Sequence, residues 1–185
     1  MKTRYSPRLV LMVIALVILI STPIVGLLFP IFYVQTFVYD RSTIVLYPDG
    51  MNFRIVMVAC ILLLIGFIFP LIKQNKVTYS LLVIFIATGA FVFYLSILSY
   101  TYVGKEQVVV NKLFDKQAIQ WSEMNEVILE YYTDDTGTHE EYIFTSHDGN
   151  SIRIPLIDQF IQETKNEIYK VAVQNEVQFI EQEKK

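Results

Sequence analysis

The sequence predicts a membrane protein in two parts: three transmembrane α-helices, then an α+β domain of antiparallel strands capped by one amphipathic helix. Three observations carry this expectation. Long uncharged apolar runs are confined to the first hundred residues, an alternation of period two begins at Val103, and a helical spacing of apolar residues begins at Ile157. Charge divides the chain at the same place. Residues 1–100 hold seven basic and two acidic side chains, a net of +5, whereas residues 101–185 hold eight and sixteen, a net of −8. Such asymmetry marks two bodies with different solvents.

Residues 1–100 read as the transmembrane region, with spans at about 9–29, 55–72 and 80–100. A crossing needs roughly 20 apolar residues. Ile55–Ile72 supplies eighteen without a charge and Ser80–Tyr100 twenty-one, with a connection between them that fits only a tight helical hairpin. Leu9–Tyr39 is uncharged over thirty-one residues, too long for one simple span, and Pro23 and Pro30 are expected to kink or end its helix because each removes a backbone donor. The run exceeds the apolar core of a cleaved signal peptide, so an uncleaved span is expected. A dip-and-return path for residues 9–39 stays open at this point. Tyr79, Tyr94, Tyr100 and Tyr102 sit where aromatic anchors fall, and Ala87, Thr88, Gly89 and Ala90 allow close helix packing. Between the first two spans, Pro48-Asp49-Gly50 carries turn chemistry inside β-branched sequence, and a hairpin-like loop is expected near 43–54.

Residues 101–185 read as one small domain. "EQVVVN", "AIQW", "EVILEYY", "EEYIFTS" and "SIRIPL" are strand candidates. "NKLFDKQ" closes the first hairpin and "TDDTGTH" is a longer polar tip. His147-Asp148-Gly149-Asn150 is a tight turn, in which Gly149 takes the positive φ. Ile157, Phe160, Ile161, Thr164, Ile168, Val171 and Ala172 then follow helical spacing, with Asp158 near the helix start, and the helix is expected to run to about Gln182. Tyr169, Val173, Val177 and Ile180 form a second apolar stripe on it and are the candidate interaction residues.

The stretch "VGKEQVVVNKLFDKQAIQWSEMNEV" resembles the pleckstrin-homology-like (PH-like) domains of bacterial membrane proteins. The resemblance rests on a strand, a turn, Ile119-Gln120-Trp121, the polar turn Ser122-Glu123 and Met124-Asn125-Glu126-Val127, and it covers roughly residues 100–172. It implies an interaction fold in which Trp121 is a core residue with its N–H satisfied at the sheet edge. Phosphoinositide recognition does not carry over, because the domain is acidic where the eukaryotic binders present basic loops, and nucleic acid is disfavoured for the same reason.

No cofactor motif, nucleophile elbow or metal-ligand spacing is present. His139 and His147 read as separate turn residues, Asp134, Asp135, Glu140 and Glu141 as a solvated tip, and Cys60 as a small apolar residue. The spans carry no ionisable group, which disfavours a transporter. The expected function is non-enzymatic: an integral protein of the cell membrane whose PH-like domain contacts a protein partner or a second copy of the chain, as an immunity-type or envelope-stress protein would. The alternative is an accessory subunit of a membrane transporter or membrane enzyme. Three spans put the two termini on opposite sides. Lys2, Arg4 and Arg8 favour a cytoplasmic N-terminus, whereas the resemblance favours a cytoplasmic C-terminal domain, and the second placement is adopted.

Overall fold

A computed structural model of the chain describes residues 6–134, 137–156 and 162–183. It divides into two compact units: residues 1–36 with 48–99, and residues 37–47 with 100–185.

The first unit contains α1 (Pro7–Tyr33), α2 (Met51–Ile72) and α3 (Lys76–Leu95). All three are long and apolar enough to cross a membrane, and α1 qualifies through a following π-helical turn, Val34–Val38. Pro7 opens α1 at the first turn, where its missing N–H is not needed. Of the two outcomes expected at Pro23 and Pro30, a kink or an end, the helix does not end: it continues through both and does not turn back. In hydrocarbon, leaving the helix would strand many backbone groups, whereas one proline strands one or two. The third helix stops at Leu95, five residues before the expected Tyr100, because Ser96–Ser99 turn the chain towards a strand. Asn75 caps α3 by accepting the Thr78 N–H at 2.9 Å, while Thr78 Oγ1 accepts the Asn75 N–H. Small residues bring α2 and α3 together: a Cβ on Gly66 would lie 2.7 Å from Phe85 Cβ, and one on Gly89 would lie 2.9 Å from Leu63. Cys60 is buried in α2.

The hairpin expected at 43–54 does not form. Thr43–Pro48 is a single strand, β1, and Met51 already belongs to α2. Asp49 starts that helix by accepting the Met51 N–H on its carboxylate at 2.8 Å, so the turn residues serve a helix start. The partner of β1 is β2 (Tyr100–Gly104), which lies beyond both following helices in the chain. Bonds from Lys105 N–H to Ser42 O and from Asp49 N–H to Ser99 O set the two strands antiparallel.

The second unit has two four-stranded sheets. One has the order β1-β2-β3-β4, with β3 at Gln107–Lys112 and β4 at Asp115–Gln120. The other has the order β7-β6-β5-β8, with β5 at Met124–Asp134, β6 at Gly137–Ser146, β7 at Ser151–Pro155 and β8 at Gln178–Glu183. The sheets are not purely antiparallel as expected, because β8 runs parallel to β5. A 3₁₀ turn, Trp121–Glu123, links one sheet to the other. Helix α4 (Gln162–Gln174) buries Ile168, Val171 and Ala172 against the shared core. Ile157, Asp158, Phe160 and Ile161 lie outside the described residues, as do Asp135 and Thr136 of the polar tip. Gly149 has φ 81°, as the tight turn requires.

Helix α4 ends at Gln174, not near Gln182. Glu176 adopts φ 58°, Val177 N–H reaches back to Ala172 O at 2.9 Å, and Glu176 N–H reaches Val173 O at 3.2 Å. This is a Schellman closure, with a glutamate where glycine is the usual occupant. It turns Val177 into the core and releases β8 to pair with β5.

Trp121 is 1 % exposed, and its indole Nε1 donates to Gly104 O at 2.8 Å. Its ring meets Phe144 edge-on at 6.0 Å. We expect Trp121→Ala to lower the unfolding free energy by about 3–5 kcal/mol, read from cooperative thermal or denaturant unfolding; an unchanged midpoint would contradict this packing.

Candidate functional site

Strands β4 and β7 are the outer members of their sheets. Along β4 only Ile119 is buried, so the strand presents five exposed side chains and one unpaired backbone edge. Along β7, Ile152 and Ile154 point inwards and alternate with exposed Ser151, Arg153 and Pro155. A groove of about 380 Å³ runs between the two edges. Lys116, Gln117, Ala118 and Ile119 line one side, Ser151 and Ile152 the other, and Glu123, Ser146, Asp148 and Asn150 close it.

The end of the groove is built by the tight turn. Ser146 N–H donates to Asn150 O at 2.8 Å and Gly149 N–H to Ser146 O at 3.0 Å. His147 N–H donates to Glu123 O at 3.0 Å, tying the turn to the 3₁₀ segment after Trp121. Ser146 is 7 % exposed, and no described residue hydrogen-bonds its hydroxyl. A buried hydroxyl without a partner carries a desolvation cost of roughly 1–3 kcal/mol, which a ligand donor or acceptor offsets. The groove thus offers one ammonium, two carboxylates, two hydroxyls and two open backbone edges. That inventory suits recognition of an extended backbone by strand addition. Among the described residues, no group of three His, Cys, Asp or Glu side chains is placed to hold a metal ion.

The candidate interaction stripe does not exist as one surface. Tyr169 and Val173 are exposed on α4, at 51 % and 54 %. Val177 is buried beyond the helix end, and Ile180 is half-buried in β8. Tyr169 instead lines a second hollow, of about 500 Å³, between α4 and the β5–β6 face, where Lys165 pairs with Glu140. Tyr142 lines this hollow too; burial pushes its hydroxyl well above the ordinary value, and Glu140 and Glu181 push it the same way. Of the two expected turn histidines, His139 lies within β6, stacked on Tyr132 at 5.1 Å. Trp121 lines neither hollow, whereas Glu123, two residues on, does.

A second polar cluster was not foreseen. The Tyr102 hydroxyl, buried on β2, lies 3.1 Å from Asp40 Oδ2 and 2.7 Å from Ser42 Oγ, and Ser42 donates its N–H and O–H to Asp40 Oδ1, both at 2.7 Å. Tyr102 is therefore no membrane anchor. Burial, with the Asp40 charge behind it, holds its hydroxyl above the ordinary value. No sequence signal places residue 40 beside residue 102, since the pairing depends on β1 joining the sheet.

No family model matches the chain, and no curated protein matches it.

Two outcomes follow. We expect Val177→Lys to unfold the domain, because it buries an unpaired ammonium, and Val173→Lys to leave thermal unfolding unchanged; equal behaviour of the two would contradict the Schellman closure. The Ser42 hydroxyl and amide, then Tyr102, hold the Asp40 carboxyl below its usual value. Its stabilisation is therefore complete above the ordinary carboxylate value near ~3.9 and is lost as pH falls through the lower folded value. Across that acid window the melting temperature of the wild type should fall more steeply than that of Asp40→Asn.

Proposed function

We propose that this is a non-enzymatic integral protein of the cell membrane whose C-terminal PH-like domain binds an extended segment of a protein partner in the β4–β7 groove. The observation that carries the reading is the pair of open strand edges flanking a polar groove with a buried, unpartnered Ser146 hydroxyl. Strand addition would satisfy the backbone edges, and Lys116, Glu123 and Asp148 would select the segment by charge. The PH-like reading is supported by antiparallel hairpins in β2–β7 followed by α4, the order the resemblance implies; β1 and β8 stand outside that order. The three apolar helices support membrane insertion. A shared sheet keeps residues 43–48 on the side of the C-terminal domain, as three crossings require, and the cytoplasmic placement of that side rests on the resemblance alone.

The test uses the full chain in its membrane. A photo-crosslinking side chain at exposed Ala118 should trap a partner, and peptide mapping should place the adduct on an extended segment. Ala118→Arg should abolish the adduct of a second probe at Gln117 without shifting thermal unfolding. A probe that reacts only with lipid, or an adduct that survives Ala118→Arg, would refute the groove as the docking site. An adduct of two identical chains would identify self-association.

A further inference from the structure

The turn between β3 and β4 is made of the wrong residues for a turn. Leu113 and Phe114 connect the strands, and Leu113 takes φ 32°, in the left-handed region that glycine or asparagine normally fills. A bulky residue held there is strained by roughly 1–3 kcal/mol. Phe114 beside it is 86 % exposed, the most exposed large apolar side chain in the described chain. A strained turn that also displays an aromatic ring to water is costly twice over. Something other than hairpin geometry has to account for it.

The position of the tip within the sheet narrows the choice. Asn111 pairs with Tyr100, and Lys112 with Asp115. Tyr100 is five residues past Leu95, where α3 ends. At the same end of the sheet β1 finishes at Pro48, three residues before α2. The other end of these strands carries Lys105, bonded to Ser42 O. Thus one end of the sheet holds the chain connections to α2 and α3, and the Leu113-Phe114 tip lies at that end, whereas α1 leads into β1 at the other end. Lys112 and Lys116 flank the ring, both exposed. An apolar side chain between two lysines has the chemistry of the bilayer interface: the ring sits among the upper acyl chains, and the ammonium groups stay at the phosphates. The domain as a whole is acidic, but headgroup attraction decays within a Debye length, so the tip's own charges decide: Lys112 and Lys116 against Asp115, a net of +1.

We infer that the tip Lys112–Lys116 is a membrane-surface anchor, with Phe114 inserted into the interfacial zone of the bilayer that α1–α3 cross. The inference rests on reading those helices as spans, so the experiment tests both. Full-length protein is reconstituted in nanodiscs whose phospholipids carry bromine on the acyl chains. Trp121, in the core, gives the unquenched baseline. Phe114→Trp adds a second indole at the tip, Glu106→Trp places one at the opposite end of the same strands, and Ile61→Trp places one on the exposed face of α2. Insertion to about 5–10 Å below the surface brings an indole within reach of the bromines, and the tip indole should lose roughly half its emission and shift to the blue. Glu106→Trp should stay at baseline and Ile61→Trp should be quenched. A tip indole quenched no more than position 106, while position 61 is quenched, overturns the anchor alone. No quenching at 61 removes the spans and the anchor together. A blue-shifted but unquenched tip indole overturns the inference in favour of a protein cover.

Discussion

The indole of Trp121 spans the seam between the two sheets, and much of the domain depends on the hydrogen bond it makes there. Its N–H reaches the carbonyl of Gly104, at the end of β2, while its own backbone N–H donates to Glu106 O at 3.1 Å. Both bonds fix the β2–β3 turn to the start of the second sheet. Gly104 makes this possible by having no side chain. A Cβ there would fall 2.2 Å from the Tyr102 hydroxyl, because the Tyr102 ring lies along the strand over the glycine. Tyr102 then uses that hydroxyl to hold Asp40 and Ser42, and with them the entry to β1. One missing methyl group therefore links the core, the sheet seam and the strand supplied from between α1 and α2. Removing the indole would leave a cavity and an orphan carbonyl together, which is why a large penalty is expected at this position.

The insertion of β1 changes what the C-terminal domain is. A strand from between the first two helices completes the first sheet and puts Val45 into its core. Its partner is made only after two further apolar helices, so this contact has a long sequence separation and carries a loop-closure cost. The gain is that the loop after α1 is held in the sheet at both ends, by the Asp40 cluster at one and by Ser99 at the other. Residues that read locally as a hairpin are thus shared between a strand and a helix start. Asp49 sits at that boundary and starts α2 with its carboxylate.

Much of this was legible in the sequence because it is local. Uninterrupted hydropathy gave the three apolar helices, alternation gave β3 to β7, Asp-Gly gave the turn at Gly149, and Ile168, Val171 and Ala172 showed the buried face of α4. What was missed is non-local or breaks a local rule. Nothing near Thr43 names Tyr100 as its neighbour. The stop at Gln174 uses Glu176 in a conformation whose signal is glycine, and so Val177 and Ile180 were read as a continuing helical stripe. At the prolines of α1 the local rule left two outcomes, a kink or an end, and does not itself choose between them; the helix continues. For the groove, only Glu123 and the tight turn were visible beforehand. The contribution of β4 and β7 arises from their being outermost, a property of the assembled sheets.

Net charge is a poor guide to what the domain touches. Its −8 is spread over many solvated side chains, several of them already neutralised locally, as Glu141 is by Arg153 at 3.1 Å and Glu167 by Lys170 at 2.7 Å. A contact surface sees only charges within about 8–10 Å at physiological salt. Over that range the groove presents Lys116 against Glu123 and Asp148, and the β3–β4 tip presents Lys112 and Lys116 around an aromatic ring. Lys116 belongs to both, at the root of a short strand with one end in the tip and one wall in the groove. A segment that adds to β4 would therefore run alongside Lys116. Occupancy of the groove and seating of the tip would then be linked through a single six-residue strand. Linkage of that kind requires only that β4 be more ordered with either ligand than with neither.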